Sequence, residues 1–471
     1  MDLRDGLQPS DIPPHIVEAT RALRQRGYAA WLVGGAVRDL LLGRPIKDWD
    51  IATSATPAEV RRVFGHSYTI PTGEKHGTIT VLQTRADGER DAIEVTTFRG
   101  EGDYLDGRRP NKVVFVPTIE EDLARRDFTI NAIAYDPLDN RIADPFDGRG
   151  DLRRGLLRAV GVADERFAED GLRAMRAVRF AAQLGFSLDA STHSAIGRQR
   201  HVFAKVSEER LHDELVKILD SPRPRLGLEL CHETGLLGIF LPELEEGVGL
   251  YQNQYHAFDV WGHNLASLAA APRESALGPT FILRLAALLH DVGKPRTAAP
   301  HPATPSDNTF YNHEHVGAEM ADQLLRRLRF ANDEREHLCA LIKHHMWCYT
   351  PDWSDGAVRR FMARMGPEWL PDLFALRAAD VIGKGRGDDP ELELAEIRRR
   401  VADEVGKRSA LSVGDLAIGG KDVMAALEIS PGPEVGRVLR HLLDRVLEDE
   451  SLNQRDRLLA LIEEGKRDGT L

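Results

Sequence analysis

The sequence contains little cysteine and no long apolar run. Of its 471 residues only Cys231, Cys339 and Cys348 are cysteine, and no two of them form a Cys-x-x-Cys pair. This argues against a disulfide framework and against a cysteine-based zinc site, and it fits a reducing compartment. The longest apolar runs, such as residues 285–289, are far too short to cross a bilayer, and residues 1–6 do not form the apolar core of a signal peptide. We therefore expect a cytoplasmic protein with no membrane attachment.

Net positive charge is also absent. The chain has 62 lysines and arginines against 74 aspartates and glutamates, a formal net charge of −12, which argues mildly against a nucleic-acid partner. The arginines are unevenly spread, however, and one dense group consists of Arg149, Arg153, Arg154, Arg158, Arg166, Arg173, Arg176 and Arg179. This group predicts a local positive surface on an acidic protein, with solvated helix faces as the alternative for part of it.

The distribution of strand-like and helix-like patterns indicates the fold class. A chain of 471 residues is too long for a single core, and domain sizes predict about three domains. Short β-rich runs occur in the first 150 residues, whereas the pattern from Arg166 onward is almost purely helical. We predict an α+β protein in which a small sheet domain is followed by helical domains.

The stretch from Gly34 to Asp50 is the most informative part of the chain. Residues 31–33 indicate the end of a buried strand, two glycines then turn the chain, and residues 36–42 predict one or two turns of helix. Free backbone N–H groups at such a turn can bind a phosphate, and Arg38 lies in the first helical turn. This arrangement predicts a phosphate-binding turn.

Two carboxylates follow this turn on a predicted strand over residues 46–52. Because side chains alternate across a strand, Asp48 and Asp50 point to one face and Trp49 to the other. Paired carboxylates beside a phosphate-binding turn suit Mg²⁺ that also binds substrate phosphates. A solvated acidic strand edge is the alternative. Glu94, on a further predicted strand, could add a third carboxylate or be an exposed strand charge.

Asp170 and Arg173 are three residues apart on a predicted helix over residues 169–184 and are therefore neighbours. Cytosine and adenine each present an amino donor beside a ring-nitrogen acceptor, which match a carboxylate and a guanidinium. Uracil and guanine present the opposite order, and an unpaired buried polar group costs about 1–3 kcal/mol. The pair could therefore accept C and A and reject U and G. A surface ion pair is the alternative.

Further polar residues surround these two motifs. Arg176 stays near Arg173 on the helix and could bind a triphosphate, whereas helical rotation of about 60° per three-residue step predicts Arg179 on the side opposite Asp170. Arg126 or Asn131 could reach a triphosphate or a ribose hydroxyl. Residues 98–110 are rich in Gly, Arg and Asp, and we predict a mobile loop there.

The motifs together resemble those of the class II tRNA nucleotidyltransferase and poly(A) polymerase family, most closely the bacterial CCA-adding enzymes with an HD domain. The resembling stretches are residues 34–39 with 48–50, residues 125–132, residues 169–173 and residues 207–214. The resemblance implies a nucleotidyltransferase head (1–150), a helical neck that binds RNA and nucleotide (151–250), an HD body (251–385) and a helical tRNA-binding tail (386–471). It leaves the oligomeric state open.

This resemblance also implies a reaction and its residues. The reaction is template-independent, Mg²⁺-dependent addition of C, C and A from CTP and ATP to the 3′ end of tRNA. The family's Mg²⁺ ligands correspond to Asp48 and Asp50, and its nucleotide-binding residues correspond to Gly35, Arg38, Arg126, Asp170, Arg173, Arg176 and Arg179. The loop at 99–109 and the tail from 416 to 459 are similar to those of enzymes that add all three nucleotides, although Gly419 stands where the family usually has Asn. A poly(A) or A-adding polymerase is the alternative function.

A histidine-rich region predicts a second site. His263, the sequence His290-Asp291-Val-Gly-Lys and Asp380 occur in the order of an HD phosphohydrolase domain, which this region resembles. Imidazoles and carboxylates together suit a divalent metal with open water positions. A second metal could be completed by His313 and by His344 or its neighbour His345, with His256 a weaker candidate. The implied reaction is hydrolysis of phosphate esters or cyclic phosphodiesters.

A degenerate helical spacer is the alternative to an intact HD site. A further alternative for the whole chain is an HD hydrolase whose head only binds RNA.

Overall fold

The computed structural model describes residues 6–85, 87–100, 114–275, 278–304, 306–407 and 409–469. The chain divides into two compact units, residues 1–242 and 243–471. Most of the loop predicted at 98–110 lies outside the described residues. The segment 99–109, which resembles the family's loop, is part of it. The predicted boundaries of four domains remain a prediction.

The first unit contains a mixed sheet at its N-terminal end and two short strands beyond it. The strands are β1 (Ala30–Val33), β2 (Asp50–Thr53), β3 (Thr69–Gly73), β4 (Thr78–Thr84), β5 (Arg90–Thr97), β6 (Ala134–Asp136), β7 (Arg141–Ala143), β8 (Leu156–Leu157) and β9 (Ser187–Leu188). Seven of them form one sheet in the order β3-β4-β5-β2-β1-β6-β7. Neighbouring strands of this sheet are antiparallel except β2 and β5, which are parallel. The predicted mixed sheet is thus confirmed.

Helices cover this sheet and continue beyond it. They are α1 (Pro14–Gln25), α2 (Gly35–Leu41), α3 (Pro57–Phe64), α4 (Ile119–Ala124), α5 (Gly148–Arg154), α6 (Ala163–Glu169), α7 (Leu172–Leu184), α8 (Ala190–Arg198), α9 (Arg200–Phe203), α10 (Glu208–Leu219), α11 (Pro224–Glu233), α12 (Leu237–Phe240) and α13 (Pro242–Glu245). The sheet followed by helices confirms the predicted α+β class.

Two predicted elements differ from the structure near the candidate site. The strand predicted at 46–52 begins only at Asp50, so Asp48 and Trp49 precede it. The helix predicted at 169–184 is interrupted at Asp170, which lies between the end of α6 at Glu169 and the start of α7 at Leu172. At the interruption Asp170 has an extended backbone, with φ of −147° and ψ of 108°, and Gly171 packs closely, since a Cβ atom there would lie 2.6 Å from the carbonyl oxygen of Val202. Only glycine allows the backbone at this position to approach Val202 of α9 so closely.

The second unit is almost entirely helical. Its helices are α14 (Val260–Ala270), α15 (Phe281–Leu289), α16 (Lys294–Thr297), α17 (His313–Arg327), α18 (Asn332–His344), α19 (Asp355–Met365), α20 (Leu370–Gly383), α21 (Glu391–Lys407), α22 (Gly420–Leu427), α23 (Pro433–Glu448) and α24 (Arg455–Asp468). A two-stranded ribbon, β10 (Ala299–Pro300) and β11 (Asn308–Thr309), completes it. Among the helices of the described residues, none has both the length and the apolarity needed to span a membrane.

Two regions of the second unit have different packing partners. The apolar helix α15 packs against α14, α18 and α20, and its residues are buried throughout. Near the C-terminus, α22, α23 and α24 enclose a separate apolar cluster that includes Val423, Leu442 and Ile462, each fully buried. The histidine-rich region therefore has its own core, distinct from that of the last three helices.

The helical part of the first unit contains a buried carboxylate whose removal we expect to destabilise the fold. Asp151 is fully buried and accepts hydrogen bonds from Thr129 Oγ1 at 2.6 Å, Arg154 Nη2 at 2.6 Å and Arg158 Nε at 2.9 Å. Asp151→Ala should lower the free energy of unfolding of this unit by about 2 kcal/mol, because a buried hydroxyl loses its acceptor while the half-exposed arginines can reach water. Chemical denaturation provides the measurement. Asp164→Ala, which removes a surface ion pair with Arg198, is the control and should cause little change.

Candidate functional site

One deep cleft in the first unit brings most of the predicted nucleotide-site residues together. Its volume is about 730 Å³, and its walls come from the sheet, the Gly34 turn, α7 and α10. The predicted residues that line it are Gly35, Arg38, Asp48, Asp50, Arg126, Asp170, Arg173, Arg176 and Arg179. Glu94, Arg99, Arg125, Asp127, Asn131, Phe180 and Arg210 also line it. The acidic pair and the predicted base-reading pair therefore face the same space.

The turn after β1 requires glycine at position 34. Gly34 has φ of +72°, which is unfavourable for residues with a Cβ atom, and a Cβ there would lie 3.1 Å from Nη1 of Arg126. Helix α2 then begins at Gly35, where a Cβ would lie 3.6 Å from Nη2 of Arg38. Gly34 thus leaves room for the guanidinium of Arg126 beside the backbone, whereas Arg38 lies at an ordinary contact distance from Gly35.

Three carboxylates converge beside this turn. Trp49 is buried, whereas Asp48 and Asp50 on either side of it line the cleft, so the predicted alternation holds although Asp48 is outside the strand. Asp50 is paired with Glu94 in the parallel register of β2 and β5. Burial and the charge of Glu94, opposed by Arg126 and reinforced by Asp48, raise the pKa of Asp50 to about 6. This excess of negative charge favours binding of a cation.

A hydrogen-bonded chain connects two of the cleft arginines. Nη1 of Arg38 donates to Oδ1 of Asn131 at 2.8 Å, and Nδ2 of Asn131 donates to Oδ1 of Asp127 at 3.2 Å. Arg176 donates to Oδ2 of Asp127 from Nε at 2.8 Å and from Nη2 at 2.6 Å. Burial opposes ionisation of Asp127, but the charge and hydrogen bonds of Arg176 lower its pKa to about 2. Asp127 therefore fixes the direction of Arg176.

Arg179 lies on the same wall of the cleft, which corrects the prediction from helical rotation. Its Nε is 3.1 Å from Oε2 of Glu214, and its guanidinium lies 4.2 Å from the centre of the Phe180 ring. Burial lowers its pKa to about 10. The prediction failed because Asp170 precedes α7, so the rotation of that helix does not relate the two residues. The guanidinium groups of Arg38 and Arg176 also flank the Phe180 ring, at 5.2 Å and 5.5 Å.

Asp170 and Arg173 are held by different partners. Asp170 accepts from the backbone N–H of Leu172 at 3.0 Å and from Nη2 of Arg210 at 2.7 Å. Arg173 donates to Glu169 Oε2 at 2.5 Å and to the backbone carbonyls of Arg166 and Arg125, each at 3.1 Å. The surface ion pair considered as the alternative is not formed between these two described residues. Each side chain is instead held by other groups and lines the cleft.

The sequence did not reveal the residues that hold the charged side chains of the cleft in place. Asp127 and Arg210 are 49 and 40 positions from their partners, and no local spacing connects residues so far apart. Asp122, which is fully buried and pairs with Arg125 and Arg126, was also missed. The only available signal was its position three and four residues before these arginines.

The second unit brings together a cluster of histidines and carboxylates. The residues predicted to form it are His263 on α14, His290 and Asp291 after α15, and Asp380 on α20. Two groups of buried residues have ligand atoms close enough to hold a metal ion: His263, His290 and Asp380, and His290, Asp291 and His345. Nε2 of His263 lies 3.2 Å from Oδ2 of Asp291 and 3.3 Å from Oδ1 of Asp380. The two elements of the predicted signature therefore meet in space.

Asp291 extends between two pairs of histidines. Its Oδ2 faces Nε2 of His263 and of His290, the latter at 3.3 Å. Its Oδ1 faces Nε2 of His313 at 3.2 Å and of His345 at 3.6 Å. A carboxylate in this position can bridge two cations, one on each oxygen.

The tautomers of three of these histidines make the cluster suitable for metal. The Nδ1 atoms of His290, His313 and His345 donate to backbone carbonyls at 2.9, 2.7 and 2.7 Å. In a neutral imidazole this leaves Nε2 as a lone-pair acceptor. Two Nε2 pairs nevertheless approach closely, at 3.1 Å for His263 with His290 and 3.3 Å for His313 with His345. Converging lone pairs and carboxylate oxygens repel one another unless a cation lies between them, so the donor set fits a divalent metal.

The structure corrects the choice between two neighbouring histidines. His345 is buried with its Nε2 in the cluster, whereas His344, the last residue of α18, is only partly buried and is not part of either group of potential ligands. Neighbouring residues on a helix differ by about 100° in direction, so only one of them can face the core. His256 packs its ring against that of His263, 5.1 Å between centres, and is likewise outside both groups.

Comparisons with known proteins show which families the regions of the chain resemble. Four family models match the chain: the poly(A) polymerase head domain over residues 30–158, an RNA- and SrmB-binding site of polymerase A over 185–247, the HD domain over 265–348 and tRNA nucleotidyltransferase domain 2 over 310–462. Nucleotidyltransferase and HD domains generally use divalent metals, in agreement with the acidic cleft and the histidine cluster.

Curated relatives are CCA-adding enzymes. The chain is 36% identical over 443 residues to the CCA-adding enzyme of Lactiplantibacillus plantarum, covering 92% of this chain and 91% of the relative. It is 52% identical over 233 residues to the CCA-adding enzyme of Geobacillus kaustophilus. That match covers 50% of this chain and 55% of the relative. The match to the first curated relatives is thus confined to about half of their length.

Solved structures give the same result. The chain superposes with a TM-score of 0.70 on a Bacillus stearothermophilus CCA-adding enzyme in complex with CTP, with 32% identity over 98% of this chain and 99% of the other. A Thermotoga maritima CCA-adding enzyme complexed with tRNA shares the fold at a TM-score of 0.56 and 18% identity, covering 97% and 96% of the two chains. The fold and the cleft define a nucleotidyltransferase head joined to helical domains. The chain belongs to the family of CCA-adding enzymes.

The correction at α18 leads to a prediction about metal binding. His345→Ala should weaken the affinity of the second unit for Mn²⁺ by about tenfold or more, because one imidazole ligand is lost, whereas His344→Ala should leave it unchanged. Isothermal titration of the full chain, with Asp48 and Asp50 both changed to Ala so that the cleft does not contribute, provides the measurement. Equal effects of the two substitutions would contradict the assignment.

Proposed function

We propose that this chain adds C, C and A to the 3′ end of tRNA from CTP and ATP. The observation that supports this best is the shared cleft, in which an acidic pair, a row of arginines and the pair Asp170 and Arg173 face one volume of about 730 Å³. A nucleoside triphosphate needs all three: a metal for its phosphates, positive groups for its charge and a matching edge for its base. The similarity to a CCA-adding enzyme in complex with CTP supports the same substrate class.

The acidic group fits Mg²⁺, which prefers carboxylate oxygens. We propose Asp48 and Asp50 as its ligands, since both line the cleft and Asp50, whose pKa is raised by burial and by the charges of Glu94 and Asp48, lies among several carboxylates. Bound there, Mg²⁺ would lower the pKa of the tRNA 3′-hydroxyl and offset charge on the departing pyrophosphate. Glu94, opposite Asp50, is positioned to hold the water or substrate oxygens that complete such a site.

The arginines would bind the triphosphate. Arg38 and Arg176 are oriented through Asn131 and Asp127, so their guanidinium groups are held in place before substrate binds. Groups oriented in advance stabilise developing charge better than mobile ones, because no reorganisation accompanies the reaction. We assign Arg126 and Arg179 to the same role, and Gly35 to the close approach of substrate to the backbone.

Asp170 and Arg173 would select the base. The carboxylate of Asp170 accepts from the exocyclic amino group of C or A, and the guanidinium of Arg173 donates to the adjacent ring nitrogen. Both side chains line the cleft, where Glu169 holds Arg173 and Arg210 holds Asp170. Uracil and guanine would place an oxygen against Asp170 and an N–H against Arg173, and neither group would then be paired.

Extension of a tRNA that lacks its 3′ CCA tests this proposal. With CTP and ATP together we expect three added nucleotides and a stop, and with CTP alone two. A long A tail would identify a poly(A) polymerase instead, and addition of a single A would identify an A-adding enzyme. No extension at all would leave an HD hydrolase whose head only binds RNA. Gel analysis at single-nucleotide resolution distinguishes these results.

Substitution of the acidic pair tests the metal assignment. Asp48→Asn and Asp50→Asn preserve shape but remove charge, and each should reduce extension by about 100- to 1,000-fold or more because charge stabilisation at the phosphates is lost. Asp164→Asn, which changes a surface carboxylate of the same unit, is the matched control and should extend tRNA normally. Retained extension in both acidic variants would contradict the assignment.

The histidine cluster supports a second, hydrolytic activity. The observation in its favour is that Asp291 faces two pairs of imidazoles, which suits two divalent ions, whose identity we leave to measurement. Bound metal would activate water for attack on a phosphate ester. Two positively charged side chains hold the carboxylates: Lys294 contacts Oδ2 of Asp291 at 2.5 Å, and Arg377 contacts Oδ2 of Asp380 at 2.9 Å.

The two activities should be separable by substitution. Asp291→Asn should abolish any hydrolysis of p-nitrophenyl phosphate and bis(p-nitrophenyl) phosphate while tRNA extension continues. The Asp48 and Asp50 variants should show the reverse pattern. Hydrolysis that persists in Asp291→Asn would contradict a site at the histidine cluster, and absence of hydrolysis in the unchanged protein with Mn²⁺, Mg²⁺, Co²⁺ or Ni²⁺ would leave the cluster a structural element.

The remaining assignments follow from this function. We propose that residues 1–150 form the catalytic head, 151–250 the neck, 251–385 the HD body and 386–471 a tail that contacts tRNA. Processing of tRNA favours a cytoplasmic location.

A further inference from the structure

The cleft contains an arginine that no part of the proposed reaction has used. Arg210 lies on α10, lines the cleft and donates from Nη2 to Oδ2 of Asp170 at 2.7 Å. It lies 40 positions after Asp170 in the chain and on a different helix from Arg173. Within the described part of the chain, its side chain contacts the carboxylate that would recognise the base.

The two members of the base-reading pair differ in how firmly they are held. Arg173 donates to a carboxylate and to two backbone carbonyls, which together fix the plane of its guanidinium. Asp170 lies between two helices, because α6 ends before it and α7 begins after Gly171. The backbone N–H of Leu172 binds its Oδ1, which leaves the position of Oδ2 to be set by a side chain.

Arg210 supplies that restraint. A carboxylate held at only one oxygen can rotate about its terminal torsion, which has a broad energy profile. The guanidinium of Arg210 holds Oδ2 through a charge-assisted hydrogen bond. One lone pair of Oδ2 is used by Arg210, and the oxygen retains a second for the amino group of an incoming base.

From these contacts we infer that Arg210 is a positioning residue that sets nucleotide selectivity by orienting Asp170. It would not contact the reacting atoms. Without it, Asp170 could turn away from the base, and uracil or guanine would then meet no fixed acceptor opposite its oxygen. The expected effect is a loss of discrimination between C and U, and between A and G, beyond any general loss of rate. This inference rests on the proposed function.

Nucleotide competition in the full-length protein tests the inference. The ratio of kcat/KM for CTP to that for UTP is measured on tRNA lacking CCA, and the ratio for ATP to GTP on tRNA ending in CC. Arg210→Met should lower both ratios by about tenfold or more, and Arg210→Lys, which retains one charged donor, should restore part of the selectivity. A general structural defect would lower all four values of kcat/KM together and leave the ratios unchanged.

Two controls make the result specific. Arg198→Met, which removes another arginine from a carboxylate on the surface of the same unit, should keep wild-type ratios. In an Asp170→Ala background, adding Arg210→Met should change the ratios no further, because the group that Arg210 positions is already absent. An additional effect there would show that Arg210 acts by another route.

The outcomes separate the two levels of the argument. If the unchanged protein does not extend tRNA, the proposed function fails. If it extends tRNA and selects C and A, but Arg210→Met selects them equally well, only the role of Arg210 is overturned. A thermal unfolding midpoint of Arg210→Met within about 2 °C of the unchanged protein would exclude a folding defect as the cause of lost selectivity.

Discussion

Four of the cleft arginines that could contact a nucleotide are each held in place by a carboxylate. Arg176 is fixed by Asp127, Arg126 by Asp122, Arg173 by Glu169 and Arg179 by Glu214. The partner carboxylates are buried or nearly so, and a flexible arginine paired in this way loses its conformational freedom during folding rather than during substrate binding. The positions of the positive charges in the cleft therefore depend on the carboxylates that pair with these arginines.

The same principle explains the histidine cluster in the second unit, although the groups are different. There, backbone carbonyls three residues earlier in the chain bind the Nδ1 atoms of His290, His313 and His345 and so direct each Nε2 inward. Each of these imidazoles is oriented by its own local backbone, whereas Arg176 and Arg179 are oriented by carboxylates from distant parts of the chain. Orientation by outer groups is what tunes metal ligands in general, and it limits the number of conformations that the cluster can adopt.

This difference between local and distant partners also explains what could be predicted from sequence. The turn at Gly34, the alternation of Asp48 and Asp50 around Trp49, and the His-Asp dipeptide are local, and the structure places all of them as their spacing indicates. The partners Asp127 and Arg210 depend on which helices pack together, which no spacing of a few residues encodes. The interruption at Asp170 was missed as well, and the neighbouring Gly171 packs against the backbone near Val202, which is another contact between distant parts of the chain. At His344 and His345, a single helical step decided which residue faces the cluster, and the sequence pattern left both open.

The charge of the whole chain gave a misleading indication for a related reason. A net charge of −12 argues against a polyanionic partner, yet the cleft is lined by eight arginines and five carboxylates, an excess of three positive charges. Three of those carboxylates, Asp48, Asp50 and Glu94, lie together where a divalent cation would offset them. The remaining surface can be acidic without weakening this local attraction, because charges more than about 10 Å away are largely screened at physiological salt. The proposed binding of a triphosphate therefore depends on the arrangement of charge within the cleft and not on the net charge of the whole chain.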